Sequence, residues 1–171
     1  MNVMRQIRIE KITLNIGAGK DQAKLEKALL LLKGITGLKP VKTVTTKRIP
    51  EWGIRPGLPI GCKLTLGKAA AKNLLVRLLA AKDNKLKKSQ FDERGSIAFG
   101  IHEYIDIAGA KYDPEVGIMG LEACITLERP GYRIKKRKNK TKKITKRHSI
   151  TGEEAIEFMK KEFNVKVPEE D

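Results

Sequence analysis

Hydrophobic residues in the first third of the chain recur with two different periods, which predict a strand, a helix and a second strand. Residues 12–16 alternate between apolar and polar, a period of two that indicates a strand with one buried face. Gly17-Ala18-Gly19 interrupts it, and Asp21 is suited to cap a helix that runs to about Thr36. Residues 39–46 predict a second strand because valine and threonine favour extended structure.

The middle of the chain repeats this succession. Residues 60–66 show the most regular alternation and predict a strand, and residues 68–82 carry alanine and leucine at the spacing of an amphipathic helix. Residues 96–107 predict extended structure that is interrupted around His102 and Glu103. Residues 121–127 alternate again and predict another strand.

The C-terminal part ends in a further helix. Thr151 and Glu154 have the spacing of a capping box, and the apolar residues that follow predict a helix over 151–163. Together these elements predict an α+β fold, with a largely antiparallel sheet, helices packed on one sheet face, and a basic extended arm or hairpin over 133–147. A length of 171 residues favours a single domain, 1–171.

One face of this sheet is expected to lack helices. If the apolar residues of each strand contact the helices, the opposite face receives hydroxyl, amide and ammonium groups but no aromatic rings. Its residues are Lys11, Thr13, Asn15, Lys42, Gly61, Lys63, Thr65 and Thr126. An ordinary solvated face is one interpretation, and an RNA platform that contacts the RNA backbone and grooves without stacking bases is the other.

Charge distinguishes these interpretations. The net charge is +16, and a stretch of fifteen residues without any acid contains ten of the 36 basic residues. They are Arg133, Lys135, Lys136, Arg137, Lys138, Lys140, Lys142, Lys143, Lys146 and Arg147. Cations that meet phosphates release counterions, so this concentration predicts a nucleic-acid partner. A hairpin that turns near Asn139 along RNA is one hypothesis for the stretch, and a nuclear-import signal or solvated tail is the alternative.

Several other classes of function find no support. No apolar stretch approaches the roughly 20 residues that span a bilayer, so we expect no membrane partner and a cytoplasmic location. Cys62 and Cys124 lack metal or redox spacing and are predicted to be reduced, buried core thiols. His102 and His148 belong to no catalytic motif. We therefore expect no catalytic residue, metal, cofactor or small-molecule substrate.

Seven ordered segments carry a family resemblance. They are ITLNIGAG (12–19), GITGLKPV (34–41), RPGLPIG (55–61), KLTL (63–66), FDERG (91–95), FGIHE (99–103) and YDPEVGIMG (112–120). In this order they closely resemble the ribosomal protein five family of the large subunit. The RPGYR turn at 129–133, with its basic continuation, resembles the archaeal and eukaryotic branch of that family.

The resemblance implies specific partners. Members of this family bind 5S ribosomal RNA, anchor it in the central protuberance among large-subunit RNA and neighbouring ribosomal proteins, and contact a small-subunit protein across the subunit boundary. Asn15 and Thr65 match positions on the RNA-facing sheet surface. Leu38 stands where relatives often have glutamine, so Lys39 or a shifted backbone would have to replace that amide contact. An RNA-binding regulator or chaperone outside the ribosome is the alternative function.

The resemblance also assigns a role to the loop over 47–59. It matches the loop that family members send toward the peptidyl-site transfer RNA, and its candidate contacts are Lys47, Arg48, Trp52 and Arg55. The alternative is a surface loop whose Trp52 packs back on the body. The junction over 17–20 lacks the GxxxxGK pattern of a nucleotide-binding loop, but its backbone amides are candidates to hold an RNA phosphate, with a simple turn as the alternative.

Overall fold

The sequence elements form a mixed helix and strand architecture. The computed structural model describes residues 2–168, apart from the side chain of Lys68, so the predicted domain 1–171 reaches beyond the described residues at both ends. Within that range the strands and α-helices are β1 (Arg8–Gly17), α1 (Gln22–Thr36), β2 (Val41–Val44), β3 (Pro59–Gly67), α2 (Lys68–Ala80), β4 (Ile97–Ile101), β5 (Leu121–Glu128), α3 (Arg133–Lys136) and α4 (Gly152–Phe163). The predicted α+β fold is confirmed.

The five strands form one antiparallel sheet in the order β2-β3-β1-β5-β4. The first strand of the chain is therefore the central strand. On one side of it Asn15 lies opposite Lys63 of β3, and on the other side Asn15 lies opposite Glu122 of β5. This register fixes which side chains share a sheet face.

The core lies between one sheet face and the helices. Ile12, Leu14 and Ile16 of β1 are at most 3% exposed, and they belong to one apolar cluster with Leu25 of α1 and Met159 of α4. Every second residue of β1 from Ile12 to Ile16 enters this cluster, as the alternation predicts. The opposite sheet face has no share in the core.

The helix ends follow the predicted capping chemistry. The Asp21 carboxylate accepts hydrogen bonds from the backbone N–H groups of Ala23 and Lys24 at the start of α1, and Gly37 ends that helix with φ of +71°. At α4, Thr151 and Glu154 form the predicted capping box.

The extended structure predicted for 96–107 is too long. Strand β4 ends at Ile101, and the chain then forms a 3-10 turn over Tyr104–Asp106. The turn buries the Tyr104 ring, and the Tyr104 hydroxyl accepts a hydrogen bond from the backbone N–H of Asp113 at 2.9 Å. Burial of Tyr104 and Ile107 therefore outweighs the local preference for strand.

We expect Gly61→Ala to lower the free energy of unfolding by about 1–3 kcal/mol, because the new Cβ would overpack the sheet. An ideal Cβ on Gly61 lies 2.6 Å from the backbone oxygen of Ile16 on the neighbouring strand, so the central sheet would have to shift. Gly100→Ala is the matched control, since a Cβ on this strand glycine meets nothing within 4 Å. Urea denaturation measures the free energy of unfolding of both variants, and equal stabilities of the two would contradict the predicted clash.

Candidate nucleic-acid interface

The sheet face without helices, called here the open face, brings most of the predicted polar residues together. Lys63, Asn15 and Glu122 lie side by side on β3, β1 and β5, and Thr65 and Thr13 form the next row. The two threonine hydroxyl oxygens lie 3.3 Å apart in a hydrogen bond, and the Asn15 amide donates to the Glu122 carboxylate at 3.2 Å. Lys11, Gly61 and Thr126 complete the face. These contacts hold the polar groups in fixed positions on the open face.

The placement of Lys42 on this face is wrong. Lys42 pairs with the buried Cys62 and so points to the helix side of the sheet, while Val41 and Thr43 occupy the open-face positions of β2. A four-residue strand with valine at both ends gives no clear alternation, so the sequence did not determine its register. Contact of Lys42 with RNA stays a prediction, from the edge of the sheet rather than the open face.

The two cysteines differ in environment. Cys62 is buried in the core as predicted, and burial raises the pKa of its thiol to about 11. Burial of Cys124 is contradicted, because it pairs with Thr13 and is exposed on the open face. The alternation of β5 contained this signal, since inward residues at 121, 123, 125 and 127 leave Glu122 and Cys124 pointing outward. The open face therefore includes a carboxylate and a thiol that the sequence prediction omitted.

The basic stretch over 133–147, called here the arm, is not a hairpin of two strands. It begins with the short helix α3, and its turn lies at Lys140, where φ is +52°. The Thr141 hydroxyl donates a hydrogen bond to the Arg137 carbonyl at 2.7 Å, and the backbone N–H of Lys142 donates a hydrogen bond to the Ile134 carbonyl. Two paired strands would have placed like charges directly opposite one another, which is unfavourable. The turn near Asn139 is thus present without the predicted strands.

Side-chain hydrogen bonds close the arm at its base. The Tyr132 hydroxyl donates to the His148 carbonyl at 3.1 Å, and a ring nitrogen of His148 lies 2.9 Å from the Pro130 carbonyl oxygen. Arg129 is only 3% exposed, and its guanidinium donates to the Glu154 carboxylate at 2.6 Å and to the Ser149 carbonyl at 3.3 Å. The two ends of the arm are therefore fixed to each other and to α4. No local pattern indicated that this arginine would be buried.

One cation of the arm is neutralised by the body of the protein. The Lys136 ammonium lies 2.7 Å from the Glu10 carboxylate and 2.9 Å from the Glu128 carboxylate. The Glu128 carboxylate also binds the Arg8 guanidinium at 2.8 Å, and the Lys11 ammonium lies 3.8 Å from the Glu10 carboxylate. The other nine predicted cations of the arm are exposed to solvent.

This ion-pair network predicts a pH effect on stability. Burial alone would raise the pKa of Glu128, but hydrogen bonds from Lys136 and Arg8 outweigh it and lower the pKa below the usual glutamate value. A lowered folded-state pKa stabilises the fold above the unfolded-state value, and this contribution is lost as acidification protonates Glu128. NMR titration should find the Glu128 pKa closer to the usual value in Lys136→Gln. An unchanged Glu128 pKa would contradict the network.

The loop between β2 and β3 projects from the sheet. Ile49 and Ile54 exchange two backbone hydrogen bonds below its tip, and Ile54 is only 8% exposed. Trp52, at the tip, is 65% exposed, so the alternative in which it packs back on the body is wrong. The other three candidate residues, Lys47, Arg48 and Arg55, are also exposed.

The loop and the arm lie at opposite ends of the open face. The loop leaves the sheet beside Gly17, the last residue of β1, whereas the arm contacts Glu10, near the first residue of that strand. Strand β1 has ten residues, which at ~3.3 Å per residue separates the two ends by about 30 Å. The positive charges therefore flank the polar open face on two sides.

Two backbone amides of the junction over 17–20 are already used within the protein. The backbone N–H groups of Ala18 and Gly19 both donate to the Ile60 carbonyl, at 2.9 and 3.0 Å, and the Asp21 carboxylate caps α1. These two donors join β1 to β3 and are not available to a phosphate, so the phosphate hypothesis for this junction stays a prediction without them. Leu38 and Lys39, just after α1, are both exposed.

Two kinds of feature are absent from the described residues. Over 2–168, no helix combines the length and apolar character required to cross a bilayer. The same part of the chain contains no group of three or more histidine, cysteine, aspartate or glutamate residues placed to hold a metal ion.

Comparison with known proteins identifies the family. The family model described as ribosomal protein L5 matches residues 2–55, and the model that describes the C-terminus of the same ribosomal family matches residues 59–158. The large ribosomal subunit protein uL5 of Nanoarchaeum equitans is 54% identical, over 96% of this chain and 97% of the relative. The uL5 protein of Sulfolobus acidocaldarius is 49% identical, over 98% of this chain and 94% of the relative. The resemblance seen in the sequence segments is confirmed, and the chain belongs to the ribosomal protein L5 family, a structural and non-enzymatic family.

Proposed function

We propose that this protein is a structural constituent of the large ribosomal subunit, in the cytoplasm, and that its open face binds 5S ribosomal RNA and attaches it in the central protuberance. Membership of the ribosomal protein L5 family, with relatives named as large-subunit proteins, supports the ribosomal role. The observation that carries RNA binding is the register that places Thr13, Asn15, Lys63 and Thr65 on one face without helices.

The chemistry of the open face favours contacts to the RNA backbone. Hydroxyl and amide groups can hydrogen-bond to phosphate oxygens and to 2′-hydroxyl groups, and Lys63 adds a positive charge. None of the open-face positions of β1, β3, β4 and β5 carries an aromatic ring on which a base could stack. Recognition by the shape and backbone of a folded RNA is therefore the mode that this surface supports.

The loop is proposed to meet the peptidyl-site transfer RNA. Its cations Lys47, Arg48 and Arg55 are exposed, as is Trp52, and the loop projects from the end of the sheet distant from the arm. Contacts of these cations with phosphates would position a transfer RNA without reading its sequence. Large-subunit RNA and neighbouring ribosomal proteins, including a small-subunit protein across the subunit boundary, are further partners proposed from the family.

The 5S assignment is tested by comparing isolated 5S RNA with an unrelated folded RNA of equal length. We expect Lys63→Gln with Thr65→Ala to weaken 5S binding roughly tenfold or more, since exposed polar contacts to RNA are removed, and to reduce the preference for 5S RNA. Lys27→Gln, on the exposed side of α1, removes one charge away from the open face and is the control.

Equal binding of both RNAs by the unaltered protein would contradict the proposal. Fractionation of ribosomal subunits distinguishes the proposed structural role from the rival function. A structural constituent stays with large subunits through a high-salt wash. A regulator or chaperone that acts outside the ribosome would be released by that wash.

A further inference from the structure

The ion pairs at the start of β1 join the arm to the open face. Lys11, a residue of the open face, and Lys136, a residue of the arm, both contact the same carboxylate oxygen of Glu10, at 3.8 and 2.7 Å. Glu128 connects Lys136 to Arg8 through its two different carboxylate oxygens, at 2.9 and 2.8 Å. The two surfaces proposed to meet RNA are therefore adjacent.

The position of these two acids requires a reason. A carboxylate on a basic RNA-binding surface repels phosphates and lowers the local positive potential. Glu10 and Glu128 nevertheless lie between the open face and the arm, with side chains 18% and 14% exposed, and their hydrogen bonds are directed at cations on both sides. Their charge is used in contacts within the protein.

The arm needs such contacts to have a fixed direction. Its base is closed by Tyr132, His148 and Arg129, but nine exposed like charges repel one another and favour an open ensemble. The bridge from Lys136 to Glu10 and Glu128 is an attachment of the arm to strands β1 and β5. It orders part of the arm before any RNA arrives, and such preorganisation lowers the entropy that binding costs.

We infer that Glu10 and Glu128 fix the arm in line with the open face, so that the arm and the face bind one and the same RNA molecule. The inference rests on the proposed function, which supplies 5S RNA as that molecule. Without this attachment, the arm would be free to reach a second RNA independently of the sheet.

The test is the affinity of the full chain for isolated 5S RNA after Glu10→Gln with Glu128→Gln. Charge alone predicts tighter binding, because two negative charges are removed from a basic surface. Loss of a preorganised arm predicts weaker binding, by roughly tenfold, because the arm then has to be ordered on the RNA. The two explanations thus differ in the sign of the effect.

Glu26→Gln with Glu157→Gln is the matched control. These exposed acids lie on α1 and α4, on the helix side of the sheet, and their loss raises the net charge by the same amount. We expect the control to bind as tightly as the unaltered protein or more tightly. If the Glu10 and Glu128 variant matches the control, the inference is overturned.

A second pair of variants covers the case in which the double glutamine variant does not fold. Lys136→Gln and Lys138→Gln each remove one positive charge from the arm, but Lys136 makes the contacts to Glu10 and Glu128. A greater loss of 5S affinity in Lys136→Gln supports the inference, and equal losses overturn it. If the unaltered protein shows no preference for 5S RNA, the proposed function fails instead.

Discussion

Replacing Glu154 with alanine is expected to lower the free energy of unfolding by about 3 kcal/mol or more, because it leaves a buried guanidinium without its counter-ion. Arg129 is 3% exposed, and the Glu154 carboxylate lies 2.6 Å from it. The Nε atom of Arg129 is buried and has no hydrogen-bond partner, so the arginine depends on its remaining contacts. The change also removes the half of the capping box in which the Thr151 N–H donates to the Glu154 carboxylate, while the backbone N–H of residue 154 still donates to the Thr151 hydroxyl.

Glu154→Gln is the control that separates charge from shape. Arg129 and the backbone N–H of Thr151 donate to different carboxylate oxygens, and glutamine keeps only one acceptor oxygen, so it preserves one of these two hydrogen bonds and a smaller loss than in alanine is expected. Burial alone would raise the pKa of Glu154, but hydrogen bonds from Thr151 and Arg129 lower it. The carboxylate therefore stabilises the fold above the usual glutamate pKa, and this contribution disappears as the pH falls below it.

Urea denaturation at neutral pH and at a pH below the lowered pKa of folded Glu154 measures the stability of both variants. The difference between the unaltered protein and Glu154→Gln should shrink at the lower pH, where Glu154 is protonated. A loss in Glu154→Ala no larger than that of a single helix cap, about 1 kcal/mol, would contradict the role given to Arg129.

The second large effect is expected in RNA binding. Replacing Lys138, Lys140, Lys142 and Lys143 with glutamine should reduce the slope of log affinity against log salt by roughly 3, since each phosphate contact contributes roughly 0.7 to 0.9. All four side chains are exposed. At low salt the affinity should fall by roughly a hundredfold or more, for 5S RNA and for an unrelated RNA alike, because phosphate contacts carry no sequence information.

The location of the charge is tested by removing the same number of lysines elsewhere. Lys27, Lys33, Lys160 and Lys161 are exposed on α1 and α4, on the helix side of the sheet and outside the arm. Their replacement with glutamine should change the slope much less. If both sets of four reduce it equally, net charge and not the arm determines binding.

Local patterns in the sequence were sufficient for most of the fold. The alternation over 12–16 and 60–66, the Asp21 cap and the Thr151 capping box each depend on residues within a few positions, and the structure confirms them. The open face followed from the alternation for Thr13, Asn15, Lys63 and Thr65. Those predictions needed only the geometry of a strand.

The errors arise where distant parts of the chain decide the outcome. The side that Lys42 faces is set by pairing of β2 with β3, and the sequence does not specify that pairing. The ion pair of Lys136 was not foreseen because its partner Glu10 lies more than 120 positions earlier, and contact of Lys136 with RNA stays a prediction. Arg129 meets Glu154 through the packing of α4, which no local pattern reveals. Long-range pairing and burial of charge are thus the parts that sequence patterns do not supply.

The strand order has a consequence for synthesis of the protein. Strand β1 leaves the ribosome first, but its neighbours are β3 and β5, and the second of these ends only at Glu128. Until then the central strand of the nascent chain has at least one unpaired edge, and such edges invite pairing with other chains. Contacts between distant residues also form slowly. A chain of this topology is therefore most vulnerable to aggregation before β5 has emerged from the ribosome.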